Sequence, residues 1–258
     1  MIAEERRQRV LDLISQRGFV ALTDLTNAVD ASESTIRRDL DYWHQQGVIK
    51  RARGGAIYRG DDQALPPLED RSTSQREEKK AIALAAVELI QDGDTVLLDG
   101  GTTTLEIARL LIGRKVQIVT NSLPIANLFA SDHETDLIML GGYVYPKTGV
   151  ALGPLTIRMM EDLHVHQTFL SVSGVTEQGL FNGNLLLVET ERQMMRCAEQ
   201  VIVVADHTKL RRSALAFLCQ LSDVDTLILD RPDVELATWT ESAGVRLIEA
   251  GFSEGQST

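Results

Sequence analysis

One stretch near the amino terminus constrains this chain most, because it joins an arginine pair to a basic segment rich in glycine. Residues 34–40 read Ser-Thr-Ile-Arg-Arg-Asp-Leu, and residues 47–56 read Gly-Val-Ile-Lys-Arg-Ala-Arg-Gly-Gly-Ala. The first run predicts an amphipathic helix and the second a basic hairpin. This order is typical of a winged helix-turn-helix, whose helix enters the major groove while the hairpin touches phosphate or the minor groove.

Helical periodicity supports this interpretation. At about 100° per residue, Ile36, Leu40 and Trp43 share one face, which is expected to pack on the preceding helix. Ser32 is a candidate N-cap of this helix, and Thr23 is a candidate cap of the helix before it. An isolated arginine pair is usually solvated. Here the turn spacing, the apolar face and the basic hairpin coincide, and together they favour DNA binding.

The residues expected to contact DNA lie at the start of the helix, on its outward side and on the hairpin. They are Ser32, Ser34, Thr35, Arg37, Arg38, Tyr42, Lys50, Arg51 and Arg53. The expected partner is a double-stranded DNA operator.

The charge of the chain is unevenly divided. The net charge of the 258 residues is −11. Residues 1–59 contain ten Lys or Arg against eight Asp or Glu, whereas the remainder contains sixteen against twenty-nine. The positive potential is therefore confined to the amino-terminal part, since the acidic remainder repels a phosphate backbone.

The sequence contains neither a signal peptide nor an apolar run of about 20 residues, so a cytoplasmic protein without a membrane partner is expected. Its two cysteines, Cys197 and Cys219, are isolated in the sequence and lack metal-ligand spacing. They are expected to be buried and reduced, and neither a metal nor a cofactor is predicted.

Composition along the chain predicts two domains. Residues 1–59 form the winged helix-turn-helix, residues 60–78 a polar, proline-broken linker, and residues 79–258 a larger domain for effector sensing and oligomerisation. A helix is expected from about Ser74. Arg71, in the linker, is either a solvated charge or a contact that pins the linker to the larger domain.

The larger domain is predicted to be α/β. From residue 79 onward, near-continuous apolar strands alternate with helices, which is typical of a mostly parallel sheet covered on both faces. In such sheets ligands bind beyond the carboxyl ends of the strands. The candidate effector-binding residues are those that follow the strands: Asp99, Gly100, Gly101, Thr102, Thr103, Thr104, Thr120, Asn121, Ser122, Gly141, Gly142, Gly174, Asp206 and Lys209.

The first of these loops, residues 99–104, has the clearest physical logic. Glycines allow close backbone approach, and free N–H groups at a helix start suit an oxyanion such as phosphate. The alternative is a simple tight turn with a threonine cap. Asp206 and Lys209 form a ligand contact, a structural ion pair or a catalytic acid/base pair. The apolar run 185–188 is core, a ligand lid or a subunit contact.

Both halves, in this order, resemble the DeoR family of bacterial transcriptional regulators over about residues 3–230. The amino-terminal match is 32–40 with 51–56. The carboxyl-terminal matches are 80–86, Gly93-Asp94, 98–104, 120–122, Gly141-Gly142, 171–174, and Ala205-Asp206 with Lys209. The resemblance implies a larger domain similar in fold to ribose phosphate isomerase and related sugar-phosphate enzymes. It also implies a repressor of sugar or nucleoside catabolism that is released by a phosphorylated intermediate and forms a homo-oligomer, a dimer or tetramer.

The chain departs from the family pattern at three places. Arg53 stands where a histidine often precedes the hairpin glycines, and His166 stands where an aspartate is common. The segment 179–188 is more apolar than expected at a place where effector specificity is expected to reside. The identity of the effector is therefore left open.

The sequence is compatible with two functions. The first is a repressor whose larger domain senses a phosphorylated sugar; the second is an enzyme of the isomerase or deaminase class with a DNA-binding appendage. The related isomerases carry an acidic cluster after the strand matching 169–173, where this chain reads Ser173-Gly174-Val175-Thr176. Proton abstraction needs a positioned base, so a regulator and not an enzyme is predicted. An activator would use the same parts.

Overall fold

The structure, a computed structural model, describes residues 3–17, 19–45, 49–52, 54–58 and 68–251. The chain divides into two compact units, Met1–Leu65 with Gly183–Leu187, and Pro66–Asn182 with Val188–Thr258. Among the described residues, no helix is both long and apolar enough to cross a membrane.

Helices and strands alternate along most of the chain. The described helices are α1 (Ala3–Arg17), α2 (Leu22–Val29), α3 (Glu33–Gln45), α4 (Leu68–Thr73), α5 (Arg76–Val87), α6 (Thr102–Leu111), α7 (Leu123–Phe129), α8 (Pro154–Glu161), α9 (Leu185–Arg196) and α10 (Val234–Ala243). The described strands are β1 (Phe19–Ala21), β2 (Ile49–Ala52), β3 (Gly55–Tyr58), β4 (Thr95–Leu98), β5 (Gln117–Thr120), β6 (Asp136–Met139), β7 (Tyr143–Tyr145), β8 (Val150–Leu152), β9 (Val165–Ser171), β10 (Gly174–Thr176), β11 (Gly179–Asn182), β12 (Ala198–Ala205), β13 (Ala216–Cys219), β14 (Thr226–Leu229) and β15 (Arg246–Glu249). Short 3-10 helices lie at His207–Lys209 and Leu221–Asp223.

The first unit combines α1, α2 and α3 with a small antiparallel sheet of order β1-β3-β2. Strands β2 and β3 form the hairpin predicted from the basic segment, with Ala52 opposite Gly55 next to the turn. Gly54 in this turn has a φ of +86°, which a glycine adopts without steric cost. The winged helix-turn-helix architecture is confirmed.

The core of this unit contains the apolar face predicted for α3. Ile36 and Leu40 are buried together with Val10 and Ile14 of α1 and Leu25 of α2. Trp43 packs at the edge of this cluster, and its Nε1 donates to the Arg7 carbonyl oxygen at 2.8 Å. The helices therefore pack against one another through the residues that the helical periodicity predicted to be apolar and inward-facing.

One of the two predicted helix caps is confirmed. The backbone N–H of Thr35 donates to Ser32 Oγ at 3.3 Å, so Ser32 caps α3. The Thr23 prediction is wrong, because α2 begins at Leu22 and its N-cap residue, Ala21, offers no side-chain acceptor. Thr23 lies inside the first turn, where its carbonyl accepts from Thr26 Oγ1 at 2.7 Å.

The second unit is built on a seven-stranded sheet of order β15-β14-β12-β9-β4-β5-β6. Every neighbouring pair in it is parallel. Apolar residues of β4, β5, β9, β12 and β14 are buried against helices that include α5 and α6. The predicted α/β domain with a mostly parallel sheet is confirmed.

The order of the strands reverses between β4 and β9. From β4 the chain adds β5 and β6 on one side, and from β9 it adds β12, β14 and β15 on the other. The connections that follow the two central strands run in opposite directions along the sheet. This arrangement opens a crevice at the carboxyl ends of these strands. This crevice lies where Asp99 follows β4 and Ser171 ends β9.

Several elements were not predicted. They are the hairpin β7–β8, the antiparallel sheet β10-β11-β13, the helix α4 within the expected linker, and the final pair α10 and β15. Most are only three to six residues long, too short for periodicity to identify. The apolar run 185–188, interpreted above as core, a ligand lid or a subunit contact, forms the first turn of α9.

Candidate functional site

The outward side of α3 is exposed at the residues predicted to contact DNA. Ser34, Arg37 and Arg38 are exposed, and Thr35 is half-buried. Ser32 Oγ lies 3.0 Å from Ser34 Oγ and 2.9 Å from Thr35 Oγ1, so three hydroxyl groups cluster at the start of the helix. Such a cluster can donate to phosphate oxygens.

The basic side chains of this surface differ in their partners. Arg37 Nη2 lies 3.4 Å from Glu33 Oε2, and Arg51 pairs with Asp41. Among the described residues, no ion pair holds Arg38, so its guanidinium is the one most available to DNA. Lys50 is half-buried on β2. Arg53 lies outside the described residues.

Tyr42 is more constrained than the sequence indicated. The Arg7 guanidinium lies 4.4 Å from the centre of its ring, a cation–π contact, and the ring meets Trp43 edge-on. Its side chain remains 38 % exposed. One face of Tyr42 is therefore occupied by α1, and the remaining surface is available for a contact.

Sequence reasoning missed a buried carboxylate beneath this surface. Asp39 is only 1 % exposed and accepts from Arg6 Nε at 2.7 Å and from Arg7 Nε at 3.3 Å. The hydrogen bond to Asp39 raises the pKa of Arg6. Asp39 therefore fixes α1 against α3 and turns two arginines of α1 toward the protein.

In the second unit, Asp99 links the two central strands at the crevice. One of its carboxylate oxygens accepts from Gly101 N at 2.9 Å and Thr104 Oγ1 at 2.6 Å. The other accepts from Ser171 N at 2.7 Å and Ser171 Oγ at 2.8 Å. Burial raises the pKa of Asp99, and these hydrogen bonds oppose the rise. Asp99 shapes the floor of the site.

Gly100 and Gly101 are required for close approach. A Cβ on Gly100 would lie 1.7 Å from Val150 Cγ1, and a Cβ on Gly101 would lie 1.9 Å from Ser171 Oγ. The turn is therefore pressed between the hairpin β7–β8 and strand β9. Any larger residue at either position displaces one of these elements.

The turn leads directly into the amino terminus of α6. Gly101 is the N-cap residue and supplies no side-chain acceptor. Thr102, Thr103 and Thr104 are buried in the first turn, and the Thr104 hydroxyl is committed to Asp99. The first-turn N–H groups carry the positive end of the helix dipole, as expected for an oxyanion site.

The loop after β5 is mostly structural. Thr120 Oγ1 donates to the Leu98 carbonyl at 2.8 Å, and Ser122 Oγ caps α7. Asn121 Nδ2 donates to the Ala151 carbonyl of β8 at 2.9 Å. The buried Asn121 Oδ1 accepts no hydrogen bond from the described residues. Asn121 is therefore the member of this loop with an acceptor to offer a ligand hydroxyl.

Three predicted glycines serve other contacts. Gly141 and Gly142 follow β6, two strands away from β4, and pack on α8. There, Thr156 Oγ1 donates to the Gly141 carbonyl at 2.9 Å, and a Cβ on Gly142 would lie 2.1 Å from the same Oγ1. A Cβ on Gly174 would lie 2.0 Å from the Arg212 carbonyl oxygen. Close packing accounts for Gly142 and Gly174, whereas a Cβ on Gly141 would make only an ordinary contact with Met159 Sδ at 3.8 Å.

Lys209 lies beside the carboxylate that the sequence paired with it. Its Nζ is 3.7 Å from Asp206 Oδ2, and Asp206 also caps the short helix 207–209 by accepting from Thr208 N at 3.0 Å. Asp206 is 2 % exposed and Lys209 32 %. The ion pair is present, and Lys209 keeps an exposed face toward the same edge of the sheet.

Two further cations, Arg71 and Lys79, were not predicted as site residues. Lys79 is 5 % exposed and donates to the carbonyl oxygens of Arg71 and Ser74. Burial lowers the pKa of Lys79, which Asp206 opposes and Lys209 reinforces. Burial likewise lowers the pKa of Arg71, opposed by Asp99. These interactions indicate that Arg71 lies near Asp99, and that Lys79 lies near Asp206, Lys209 and Arg71.

A buried carboxyl group near Asp99 was also missed. Glu191 of α9 accepts from Asn182 Nδ2 at 2.7 Å, and the same Nδ2 donates to the Ser171 carbonyl at 3.2 Å. Burial, followed by the nearby Asp99 charge, raises the pKa of Glu191 to about 8. The segment after β9 itself contains no carboxylate, and Glu191 approaches from helix α9 instead.

One group of described residues has metal-ligand spacing. Glu78, His207 and Asp230 place three possible ligand atoms within 4.8 Å of one another. His207 Nδ1 already lies 2.7 Å from Asp230 Oδ2, and Arg231 Nη2 lies 3.0 Å from Glu78 Oε1. Hydrogen bonding and ion pairing account for this group without a metal.

Comparison with known families agrees with this architecture. The family model described as "DeoR-like helix-turn-helix domain" matches residues 6–60. The model described as "DeoR C terminal sensor domain" matches residues 74–231. The chain belongs to the DeoR family. The predicted resemblance is thereby confirmed in both halves, and the stretch 61–73 between the two matches is covered by neither.

Curated relatives extend over nearly the whole chain. The HTH-type transcriptional repressor GlcR of Bacillus subtilis (strain 168) is 30 % identical, over 99 % of this chain and 100 % of its own length. The glycerol-3-phosphate regulon repressor of Escherichia coli (strain K12) is 31 % identical, over 88 % of this chain and 91 % of its own length. This member of the DeoR family is a DNA-binding transcriptional regulator and not an enzyme.

Solved structures give a weaker likeness. Ribose 5-phosphate isomerase A from Methanocaldococcus jannaschii is similar with a TM-score of 0.40 and 21 % identity, over 53 % of this chain and 55 % of its own.

Proposed function

We propose that this DeoR-family protein represses an operon for the catabolism of a sugar or a related carbon compound, and that a phosphorylated sugar releases it from its operator. The first unit binds double-stranded operator DNA in the cytoplasm. The larger unit senses the effector and holds a homo-oligomer. The names of the relatives, one of them the repressor of a glycerol-3-phosphate regulon, support the class of gene and of effector.

One observation supports the class of effector. Cationic side chains lie at the edge of the sheet, in a unit whose net charge is otherwise negative. Arg71 interacts electrostatically with Asp99, which accepts from Gly101 N and Thr104 Oγ1 at the start of α6, and Lys79 interacts with Asp206 and Lys209 after β12. Helix N-termini and cations together favour a doubly charged phosphate. Asn121 Oδ1 offers an acceptor for a sugar hydroxyl. The site thus suits a ligand with one anionic end and one hydroxyl-bearing end.

Release requires different affinities in two states. A ligand shifts the DNA equilibrium only if it binds the DNA-free conformation more tightly than the DNA-bound one. A tenfold preference corresponds to about 1.4 kcal/mol, and a practical switch needs several times that.

The test is operator release. Fluorescence anisotropy follows the full chain on a labelled fragment of its own promoter region while a panel of sugar phosphates, including glycerol 3-phosphate, is added. Each phosphorylated compound is matched with its unphosphorylated parent at equal ionic strength. We expect one phosphorylated compound to release the DNA and its parent to have no effect. Release by the parent compound alone, or by no member of the panel, would contradict the proposal.

A further inference from the structure

The guanidinium of Arg71 is buried with one edge free. Its Nε and Nη2 are both shielded from solvent, and neither has a hydrogen-bond acceptor among the residues that the structure describes. These two N–H groups lie in the guanidinium plane, point to the same side and form one of its two-donor edges. Such an edge matches two oxygens of a phosphate or carboxylate.

An unsatisfied buried guanidinium is costly for the fold. A buried donor without an acceptor costs free energy, and a buried charge without a partner costs more. No described carboxylate lies within ion-pair distance of Arg71, whereas the nearby Lys79 adds repulsion. The remaining attraction is that of Asp99, whose oxygens already accept from Gly101, Thr104 and Ser171. An incoming anion would satisfy both Arg71 donors.

The helix that carries Arg71 is short. α4 is six residues long, and its first N–H, that of Leu68, donates to the Lys147 carbonyl at 3.3 Å. The Arg71 carbonyl accepts from Lys79 Nζ. An isolated helix of this length is unstable, so contacts made by its side chains decide how firmly it is held.

We propose that Arg71 binds the anionic group of the effector through Nε and Nη2, and that this contact fixes α4 on the larger unit. The inference rests on the proposed function. It adds a binding residue outside both family matches and places a ligand-dependent element at the start of the larger unit. The ligand class is an oxyanion with two adjacent acceptor oxygens.

Inorganic phosphate is the probe, titrated calorimetrically into the full chain at constant ionic strength. Arg71→Lys keeps the charge and loses the two-donor edge, Arg71→Met removes both, and Arg158→Met on the exposed surface of α8 is the matched control. We expect phosphate affinity to fall about tenfold or more in both Arg71 variants. The control should equal wild type. Equal affinity of wild type and both Arg71 variants would overturn the role of Arg71 while leaving the proposed function standing.

Two further readouts separate a binding role from a structural one. Without phosphate, Arg71→Met should unfold at the same or a higher temperature than wild type, because it removes an unpaired buried charge. Phosphate should slow hydrogen exchange in residues 68–73 of wild type but not of Arg71→Lys. A lower melting temperature with unchanged phosphate binding, or equal protection in the lysine variant, would overturn the proposal. If wild type bound neither phosphate nor any sugar phosphate, the proposed function would fail as well.

Discussion

The two adjacent arginines of α3 differ in their ion-pair partners. Arg37 pairs with Glu33, whereas Arg38 is exposed without an ion pair among the described residues. The guanidinium groups of Arg37 and Arg38 therefore differ in how available they are for contact with DNA, although the sequence alone predicted the same role for both.

The first prediction follows from this difference. Arg38→Ala should weaken operator binding by roughly 1–3 kcal/mol, because a base-edge or phosphate contact is lost. Arg158→Ala, an exposed arginine on α8, should leave the affinity unchanged. Anisotropy titration of both variants on operator DNA measures this, and wild-type affinity of the Arg38 variant would remove Arg38 from the interface.

Lys209 gives a prediction with two distinguishable outcomes. If it contacts the effector, Lys209→Ala should lose more than about tenfold in effector affinity, the equivalent of one charge-assisted hydrogen bond, and keep operator binding. If the 3.7 Å pair with Asp206 is its whole role, the variant should melt at a lower temperature and bind the effector normally. Calorimetry on the folded variant, together with its melting curve, decides between the two.

Glu191 links stability to pH. Burial raises its pKa to about 8, so the folded state keeps this proton while the unfolded chain releases it near pH 4.5. The stabilisation is complete below about pH 4.5 and is lost as pH rises to about 8, at about 1.4 kcal/mol per pH unit. Urea unfolding between these values should show a decline in wild type that Glu191→Gln reduces. Parallel pH profiles in the two proteins would contradict the assignment.

Several decisive residues were beyond sequence reasoning for physical reasons. Asp39 stands three positions after Ile36, so helical periodicity does place it inward. A charge at such a position is interpretable only once Arg6 and Arg7 are known to reach it. Glu191 and Asp99 lie 92 positions apart in the chain. Their proximity depends on how α9 packs on the sheet, which no local pattern encodes.

At the scale of elements, long and strongly patterned segments were predictable and short ones were not. The apolar strands β4 and β5 and the helix α6 were expected at 95–99, 116–119 and 103–111 and lie within one residue of those bounds, since burial on both faces leaves a continuous apolar signature. The hairpin β7–β8 has three residues in each strand and lacks such a signature. Yet it covers the turn after β4, so the site was only partly foreseen.

The contact between this hairpin and the turn gives an element-scale prediction. Gly100→Ala would place a Cβ 1.7 Å from Val150 Cγ1 and force β8 away, at a cost of roughly 1–3 kcal/mol. Gly251→Ala is the matched control, because a Cβ there meets no heavy atom within 4 Å. Urea unfolding compares the two. Equal stability would mean that the hairpin moves freely and does not define the site.

At the scale of the whole molecule, charge separates the two tasks. The amino-terminal 59 residues carry a small positive excess, and the remainder carries the whole negative excess. The acidic part is repelled by DNA, so the recognition surface is confined to one small module per chain. One such module gives limited affinity, and two or more are expected to act together on repeated half-sites.

This gives the last prediction. Light scattering of the full chain should show a dimer or tetramer, and the operator should contain half-sites spaced by whole helical turns. Halving a repeated operator to one half-site should weaken binding far more than scrambling the DNA outside both. A monomer with and without operator would refute the prediction.

The four hydrogen bonds that Asp99 accepts across β4 and β9 have a further consequence. They brace the crevice, so the effector site proposed there has a preorganised floor, and binding would lose little affinity to ordering it. In the proposed mechanism, ligand binding orders peripheral segments such as α4 instead. Evolution can therefore retune the strength of the transcriptional response through those segments while the floor stays unaltered.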